Sequence, residues 1–383
     1  MSETSGAPRT EFISNLQVLR AWAALSVVFY HTAFVIPGTI HTDFLGVTIF
    51  FGISGFIMTH ITRENADGFM KARLIRIVPL YWIATLFLVV WTGGGFSNPL
   101  YTYPLWAHML ITSPAALASW FGTQFESIFT HHMLMYLARS ASFLPKSQPP
   151  VLGVGWTLNI EMFFYLVFWI SLKINRLYAP FIVSAVLLAF KTWPLCDLGS
   201  AGKLYSHGYT TSFIAGILVY YAWQQFLKIR HRIPRTTVWA ATFAALCFYL
   251  IFSLGLISQL QYLWVRFPRL DSIVGALVVF SALLLHSTGV RITSPLFLLL
   301  GNASYALYLF HVNALETLRA MSGKFPWLEM SRNVCGVIAV LVASSLLAVA
   351  VHLWIERPIL RLFRRILGKP PLVLSAAPTP QSS

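Results

Sequence analysis

Charged residues are scarce in this chain of 383 residues, because Asp, Glu, Lys and Arg together make up 10% of it. Soluble domains contain about 25% charged residues, so the composition excludes an ordinary soluble protein. Acidic residues are the rarer sign, with 12 Asp and Glu against 27 Lys and Arg. In a soluble protein the net charge of +15 would suggest a nucleic-acid partner. No RNA-binding or DNA-binding module is visible, and we expect no such partner.

Cysteine and metal-binding patterns are also nearly absent. The three cysteines, Cys196, Cys247 and Cys335, are far apart and odd in number, so they indicate neither a disulfide framework nor a metal-ligand spacing. The neighbours His131 and His132 point in different directions if they lie on a helix. We therefore predict no bound metal. The first dozen residues are polar and do not resemble a signal peptide, so the first apolar helix is expected to direct membrane insertion.

What the chain has in abundance is apolar sequence, since 57% of its residues are hydrophobic. Runs near the roughly 20 apolar residues that span a bilayer recur along its length, and backbone in lipid must satisfy its own hydrogen bonds. We predict an all-α, multi-pass membrane protein with about ten transmembrane helices. A single integral-membrane domain is expected to cover residues 1–370. Residues 371–383 are rich in Pro, Ser and Ala and are expected to be disordered.

The positive charges indicate how the helices are oriented. Lys and Arg cluster in residues 62–76, in residues 228–235 and after residue 355. Cytoplasmic loops are enriched in these residues, and the clusters share one side of the membrane if both termini are cytoplasmic. Residues 92–153 have many prolines and only weakly apolar stretches. They are predicted to form an outer loop of interfacial or re-entrant helices that crosses the membrane an even number of times or not at all.

The first predicted span, residues 15–36, carries Arg20 and His31 within its apolar run. Their separation of eleven residues corresponds to about three helical turns, so the side chains share a helix face and lie roughly 16 Å apart. A charged group within a span costs a few kcal/mol in lipid and normally faces a protein interior or a wet cavity. We therefore expect a cavity along this face, with Arg20 nearer the cytoplasm and His31 nearer the outer side.

Other polar and small residues fall in or beside the apolar runs. Glu161 lies inside such a run, where a carboxylate needs a partner and is functional by default. Arg73 and Arg76 are neighbours on one helix face, and they either anchor the third span or clamp a phosphate by forked hydrogen bonds. Spacing alone favours the anchor. Gly52 and Gly55 of the second span either permit close helix packing or line a substrate site.

Six segments complete the pattern, in the order NLQVLRAWAALSVVFYH, GVTIFFGISGFIM, RLIRIVPLYW, GVGWTLNIEMFFY, GNASYALYLFH and IERP. They extend from Asn15 to Pro358, which is most of the chain. Any one segment is moderately specific, whereas all six in order are highly specific. With them the chain resembles the membrane acyltransferase-3 family, which O-acylates surface and secreted carbohydrates. Within that family it is most similar to the ExoZ-like branch associated with exopolysaccharide acetylation.

The resemblance implies acetyl-CoA as the acyl donor on the cytoplasmic side. It implies a glycan or lipid-linked oligosaccharide as the acceptor and a location in the bacterial cytoplasmic membrane. It also implies a functional role for Arg20 and His31, and it moves the interpretation of Arg73 and Arg76 toward binding the donor. Glu161 falls on the glutamate of the family's Trp-Ser/Thr-Leu-x-x-Glu motif.

Substrate-binding residues are also suggested. Tyr305, Tyr308 and His311 fall in the family's segment Ser-Tyr-x-x-Tyr-Leu-x-His, although a buried structural imidazole is an equal alternative for His311. Trp156 is either a packing aromatic or a surface on which a sugar stacks. The chain departs from the family at Thr48, where an aspartate is common, and at Asn302, where an acidic residue is frequent. The first departure removes a possible partner for a cation or a histidine in the cavity.

Acyl transfer to a hydroxyl needs a base, positive charge near the CoA phosphates and a donor for the developing oxyanion. We assign His31 as the general base and Glu161 as its candidate orienting partner. Arg20, Arg73 and Arg76 would bind CoA phosphate or polarise the thioester. Direct transfer suffices, and a covalent acyl-histidine is the alternative. Two rival functions stay open, a transporter of protons or a small solute and a non-catalytic partner in polysaccharide export. The transporter predicts internal repeats, and no clear symmetry is found.

Overall fold

The computed structural model describes residues 12–39, 42–91, 112–116, 118–119, 122, 131–144, 149–192, 200–205, 207–256, 270–323 and 325–366. The predicted tail at residues 371–383 lies outside these ranges, as do Cys196 and most of residues 92–130. Within the described ranges the regular elements are helices and none is a strand, which confirms the predicted all-α class.

The helices used below follow one another as α1 Ser14–His31, α2 Gly46–Glu64, α3 Phe69–Trp91, α4 His131–Ala141, α5 Gly155–Ile174, α6 Ala179–Thr192, α7 Ser200–Tyr205, α8 Thr210–Ile229, α9 Arg235–Ser253, α10 Leu270–Ser287, α11 Pro295–Asn302, α12 Ser304–Ser322, α13 Val334–Val351 and α14 Arg357–Ile366. Short 3-10 turns follow α8 and α12, and a π-helical turn at His352–Glu356 joins α13 to α14.

Several of these helices are long and apolar enough to cross a membrane. In the described part of the chain they are α3, α5, α9, α10 and the continuous run from α13 to α14. Helices α11 and α12 would make a sixth span if counted together, although the chain bends by 76° between them. Multi-pass membrane character is therefore supported, whereas the count of about ten spans and the cytoplasmic termini stay predictions. Helix α1 is less apolar because it buries polar residues such as Asn15 and Gln17 against other helices.

Glycines allow α2 and α8 to cross in close contact. A Cβ atom on Gly55 would lie 2.1 Å from the carbonyl oxygen of Phe213, and one on Gly216 would lie 2.0 Å from that of Gly52. Real Cβ contacts are never this short, so the two backbones approach only because these side chains are absent. The packing interpretation holds for Gly55, whereas a Cβ atom on Gly52 would come no closer than 3.5 Å to a neighbouring side chain.

Helix α1 lies in the middle of the bundle, where it packs against α2 and α10 to α13. The Asn15 side chain fixes its first turn, since Nδ2 donates to the carbonyl oxygens of Ala282 at 3.2 Å and Val290 at 2.8 Å. Its Oδ1 accepts from the backbone N–H of Ile292 at 2.9 Å. These bonds satisfy backbone groups where α10 ends, and they hold α1 in a single register against its neighbours.

Part of the predicted outer loop is described. Helix α4 has 11 residues and is therefore roughly 16 Å long, which is too short to cross a hydrocarbon core about 30 Å thick. It is attached to α3 by a 2.9 Å hydrogen bond between the hydroxyls of Tyr81 and Ser140. The Trp82 indole N–H also donates to the carbonyl oxygen of Ala141 at 3.2 Å. This segment fits the predicted interfacial helix, and most of residues 92–130 lie outside the described part of the chain.

Candidate active site

A cavity of about 900 Å³, including its opening, is lined by α1, α2, α3, α5 and α12 and contains three guanidinium groups. We call it the arginine cavity. Arg20 comes from α1, and Arg73 and Arg76 come from the beginning of α3, one turn apart. Arg73 is buried, and among the described residues its Nε has no hydrogen-bond partner. A buried cationic donor left in this way favours an anionic ligand.

Among the described residues that line this cavity, one carries a carboxylate, and it is Glu161 of α5. Its Oε1 accepts a 3.2 Å hydrogen bond from the Ser54 hydroxyl and a shorter one from the Tyr165 hydroxyl. Tyr305 lines the same cavity, and its hydroxyl donates to the carbonyl oxygen of Ile77 at 2.9 Å. Three guanidinium groups against one carboxylate leave the lining with an excess of positive charge.

A second cavity, of about 1940 Å³ including its opening, begins where α1 ends. We call it the histidine cavity, because His31 faces it. The aromatic side chains of Trp156 and Tyr209 and the carboxyl groups of Asp43 and Asp271 line it as well. The two cavities therefore differ in character, one rich in guanidinium groups and the other lined by an imidazole, aromatic rings and acids.

His31 forms a hydrogen-bonded pair with His311, although 280 residues separate them. His311 is completely buried, and its Nδ1 lies 2.8 Å from the carbonyl oxygen of Tyr308. Since a carbonyl only accepts, His311 carries its proton on Nδ1, and in the neutral ring Nε2 is the acceptor. The Nδ1 of His31 lies 3.2 Å from that Nε2 and 2.9 Å from the carbonyl oxygen of Val27. Both partners require Nδ1 of His31 to donate, which leaves its Nε2 as a basic lone pair.

The far wall of the histidine cavity combines aromatic and acidic groups. The ring centroids of Trp156 and Tyr209 are 5.8 Å apart. Burial, together with the nearby charges of Asp43 and Asp271, raises the pKa of Tyr209 to about 12, so its hydroxyl stays protonated and can donate. Thr48, where the family commonly has an aspartate, lines the same cavity. The cavity thus contains the carboxyl groups of Asp43 and Asp271 in place of an aspartate at position 48. Asn302, the other departure from the family, lines neither cavity.

The two cavities meet at a pair of hydroxyl groups. Val47, Thr157 and Tyr308 line both cavities. The Tyr308 hydroxyl lies 2.5 Å from the Thr157 hydroxyl and 3.1 Å from the carbonyl oxygen of Val154. Both side chains are buried, with Thr157 4% exposed and Tyr308 7% exposed. This hydrogen-bonded pair therefore lies at the boundary between the two cavities.

The structure brings the predicted site residues together in two groups. The arginine cavity collects Arg20, Arg73, Arg76, Glu161, Tyr305 and Tyr308. The histidine cavity collects His31, Trp156 and Tyr308, with His311 behind His31.

The predicted pairing of His31 with Glu161 is not found, because the two side chains lie in different cavities and have other partners. Glu161 is five residues beyond Trp156 on α5 and is therefore roughly 7.5 Å further along the helix. That distance places Trp156 in one cavity and Glu161 in the other.

Some site residues were missed by sequence reasoning. Tyr165 is four residues after Glu161 on α5, so helical spacing could have found it. The chain has only 12 acidic residues. Asp43 and Asp271 are two of them and lie next to apolar runs, which was a usable signal. Thr157 occupies the Ser/Thr position of the motif that ends at Glu161, so that motif could have found it. Tyr209 carried no signal of its own.

Comparisons with known proteins show which proteins this chain is similar to. A family model described as an acyltransferase domain matches residues 13–349. The chain is 30% identical over 328 residues to the exopolysaccharide production protein ExoZ of Rhizobium meliloti, which covers 82% of this chain and 89% of that protein. It is 27% identical over 380 residues to nodulation protein 10 of Rhizobium leguminosarum, covering 93% and 95%. The O-acetyltransferase OatA of Staphylococcus aureus is 23% identical over 322 residues, covering 78% of this chain and 50% of OatA. No solved structure gives a significant match.

Proposed function

Since the chain belongs to the acyltransferase-3 family, as its motifs predict, we propose that it is a membrane O-acyltransferase that acts on carbohydrate. The acetyl group, or a similar short acyl group, would come from acyl-CoA and pass to a hydroxyl of an exopolysaccharide or another cell-surface glycan. The observation that carries the proposal is the meeting of an arginine-rich cavity with one that presents a basic histidine. Relatives named for exopolysaccharide production and for O-acetyl transfer support the acceptor class.

The arginine cavity suits the donor. CoA carries phosphate groups, and guanidinium groups bind phosphate through forked, charge-assisted hydrogen bonds. The partnerless Nε of Arg73 supplies a donor that a phosphate oxygen or the thioester oxygen would satisfy. On the predicted topology Arg73 and Arg76 lie on the cytoplasmic side, where acyl-CoA occurs.

The histidine cavity suits the acceptor. Trp156 is half-buried and lines this cavity, where its ring offers a surface for the apolar face of a sugar. Asp43 and Asp271 supply acceptors for sugar hydroxyl groups, and Tyr209 supplies a donor. Polar groups of this kind, placed around an aromatic surface, orient a ligand inside a pocket.

His31 acts as the general base on the sugar hydroxyl. Its Nε2 lone pair takes the hydroxyl proton while the oxygen attacks the thioester carbon. The Nδ1 proton donates to His311 and to the carbonyl oxygen of Val27, which fixes the tautomer and stabilises the imidazolium that forms. His311 therefore takes the orienting role that the sequence suggested for Glu161. Direct transfer needs no covalent acyl-enzyme.

The donor assignment is tested by replacing both arginines of α3. Arg73→Gln/Arg76→Gln removes charge-assisted hydrogen bonds worth about 1.5 to 3 kcal/mol each. We expect the dissociation constant for acetyl-CoA to rise at least tenfold. Arg361→Gln/Arg364→Gln is the matched control, since these exposed arginines of α14 have the same spacing and line neither cavity. If the first variant binds acetyl-CoA as tightly as the native chain, Arg73 and Arg76 only anchor the span and do not bind the donor.

The activity itself is tested with acetyl-labelled acetyl-CoA. Membranes that contain the full chain are incubated with the exopolysaccharide fraction of a strain lacking the gene, and label on the glycan is measured. We expect label on the glycan with the native chain and a loss of at least 100-fold with His31→Gln. Label that stays on CoA in both would favour the transporter or the non-catalytic partner. Flux of a solute through proteoliposomes would then distinguish those two functions.

A further inference from the structure

The place of the reacting carbonyl follows from the two cavities, and this step rests on the proposed function. The donor occupies the arginine cavity, and the base that activates the acceptor faces the histidine cavity. The thioester carbon must therefore lie where the cavities meet. Three residues line both cavities there, and Thr157 and Tyr308 are the ones with polar side chains.

We propose that the Tyr308 hydroxyl donates the hydrogen bond that stabilises the oxyanion formed when the sugar hydroxyl attacks the thioester. A phenol with an ordinary pKa near 10 is protonated at neutral pH and can donate. The assignment makes Tyr308 a catalytic residue, which is more than a contact to substrate.

The hydrogen bonds around Tyr308 leave its proton available. The hydroxyls of Thr157 and Tyr308 are 2.5 Å apart. The Thr157 hydroxyl lies 2.9 Å from the carbonyl oxygen of Val154, and the Tyr308 hydroxyl lies 3.1 Å from the same oxygen. Two hydroxyl groups have only two protons, so one of the three contacts is redundant. When Thr157 donates across the 2.5 Å contact to the Tyr308 oxygen, the Tyr308 proton can turn from the carbonyl oxygen of Val154 to a ligand. Both hydroxyl groups stay hydrogen-bonded in that arrangement.

The Tyr308 ring is held in place before any ligand binds. Its centroid lies 6.0 Å from that of Phe50 in an edge-to-face arrangement. On α12 it precedes His311 by three residues, so the same helix face carries Tyr308 and the partner of His31. Oxyanion donors are effective because they are oriented in advance, and α12 orients this donor and the base together.

The complete step conserves atoms and charge. The sugar oxygen forms a bond to the thioester carbon, its proton passes to Nε2 of His31, and the carbonyl electron pair moves onto oxygen. That oxyanion accepts from Tyr308. Re-formation of the carbonyl breaks the carbon–sulfur bond, and the proton on His31 passes to the departing CoA thiolate. The products are an O-acyl sugar and free CoA thiol.

Tyr308→Phe tests the proposal, because it removes the hydroxyl and keeps the ring. Tyr81→Phe is the matched control, since Tyr81 is fully buried, loses a 2.9 Å bond to Ser140 and lines neither cavity. The full chain in lipid nanodiscs is assayed with labelled acetyl-CoA and the exopolysaccharide fraction described above. The measurements are kcat, KM for the glycan and the dissociation constant for acetyl-CoA.

We expect kcat of Tyr308→Phe to fall about 100-fold, with acetyl-CoA binding and KM within threefold of the native values. Tyr81→Phe keeps its kcat. A kcat within threefold of the native value would overturn the proposal, and so would a fall matched by an equal loss of acetyl-CoA binding. Thr157→Val is the second variant, and a larger loss there than in Tyr308→Phe would assign the donor to Thr157. If the native chain transfers no label, the proposed function fails rather than this assignment.

Discussion

The pairing of His31 with His311 makes a prediction that a double-mutant cycle can test. In the first variant, His311→Phe, the ring volume is kept and the Nε2 acceptor is lost. In the second, His31→Gln, the base itself is lost. Because His311 acts only through His31, the loss caused by His311→Phe should disappear when His31 is already replaced.

The size of each effect follows from the hydrogen bonds. The imidazolium that His31 becomes during the reaction donates to two acceptors, His311 at 3.2 Å and the Val27 carbonyl oxygen at 2.9 Å. A hydrogen bond from a charged group contributes about 1.5 to 3 kcal/mol. We take the lower value, because the shorter bond to Val27 remains. A loss of about 1.5 kcal/mol lowers kcat roughly tenfold, whereas loss of the general base lowers it about 10² to 10⁴-fold.

The assay is transfer of labelled acetyl groups to glycan by full-length protein at matched protein levels. We expect His311→Phe to reduce kcat roughly tenfold with acetyl-CoA binding unchanged. The double variant should match His31→Gln alone. A further tenfold loss in the double variant would show that His311 acts independently of His31, and the tautomer argument would then be wrong.

A second double-mutant cycle combines Glu161→Gln with His31→Gln. The side chains of Glu161 and His31 lie in different cavities, so their effects on kcat should multiply when both are replaced. A double variant no worse than the poorer single variant would instead support the orienting role that the sequence suggested for Glu161.

Two further predictions concern packing and acceptor binding. Gly216→Ala places a Cβ atom 2.0 Å from the carbonyl oxygen of Gly52, and this overpacking should destabilise the protein by about 3 kcal/mol. It would be seen as a lower melting temperature in detergent. Gly208→Ala, where a Cβ meets nothing within 4 Å, is the control, and equal melting temperatures would contradict the close crossing. Trp156→Ala removes a stacking surface worth about 1 kcal/mol and should raise KM for glycan roughly fivefold, with acetyl-CoA binding unchanged. An effect on the donor instead would place Trp156 outside the acceptor site.

The membrane-helical class and most of the site residues could be predicted from sequence. Apolar runs near 20 residues have few structural solutions in a bilayer, so the all-α class followed directly. The shared helix face of Arg20 and His31, and the pair Arg73 and Arg76, followed from the 3.6-residue period. Glu161 was conspicuous because a carboxylate is costly in an apolar segment. Each of these inferences concerns one helix considered by itself.

The partners of these residues were decided only by the tertiary structure. His311 reaches His31 across 280 residues. Asp43, just before α2, and Asp271, in the first turn of α10, line one cavity although they are far apart in the sequence. The division of one predicted cavity into two, which separates Glu161 from His31, lies at side chains of α2, α5 and α12 that line both cavities. Helical periodicity states which side chains share a face of one helix. It does not state which faces of distant helices meet, because that depends on packing across the whole bundle, such as the glycine contacts of α2 with α8.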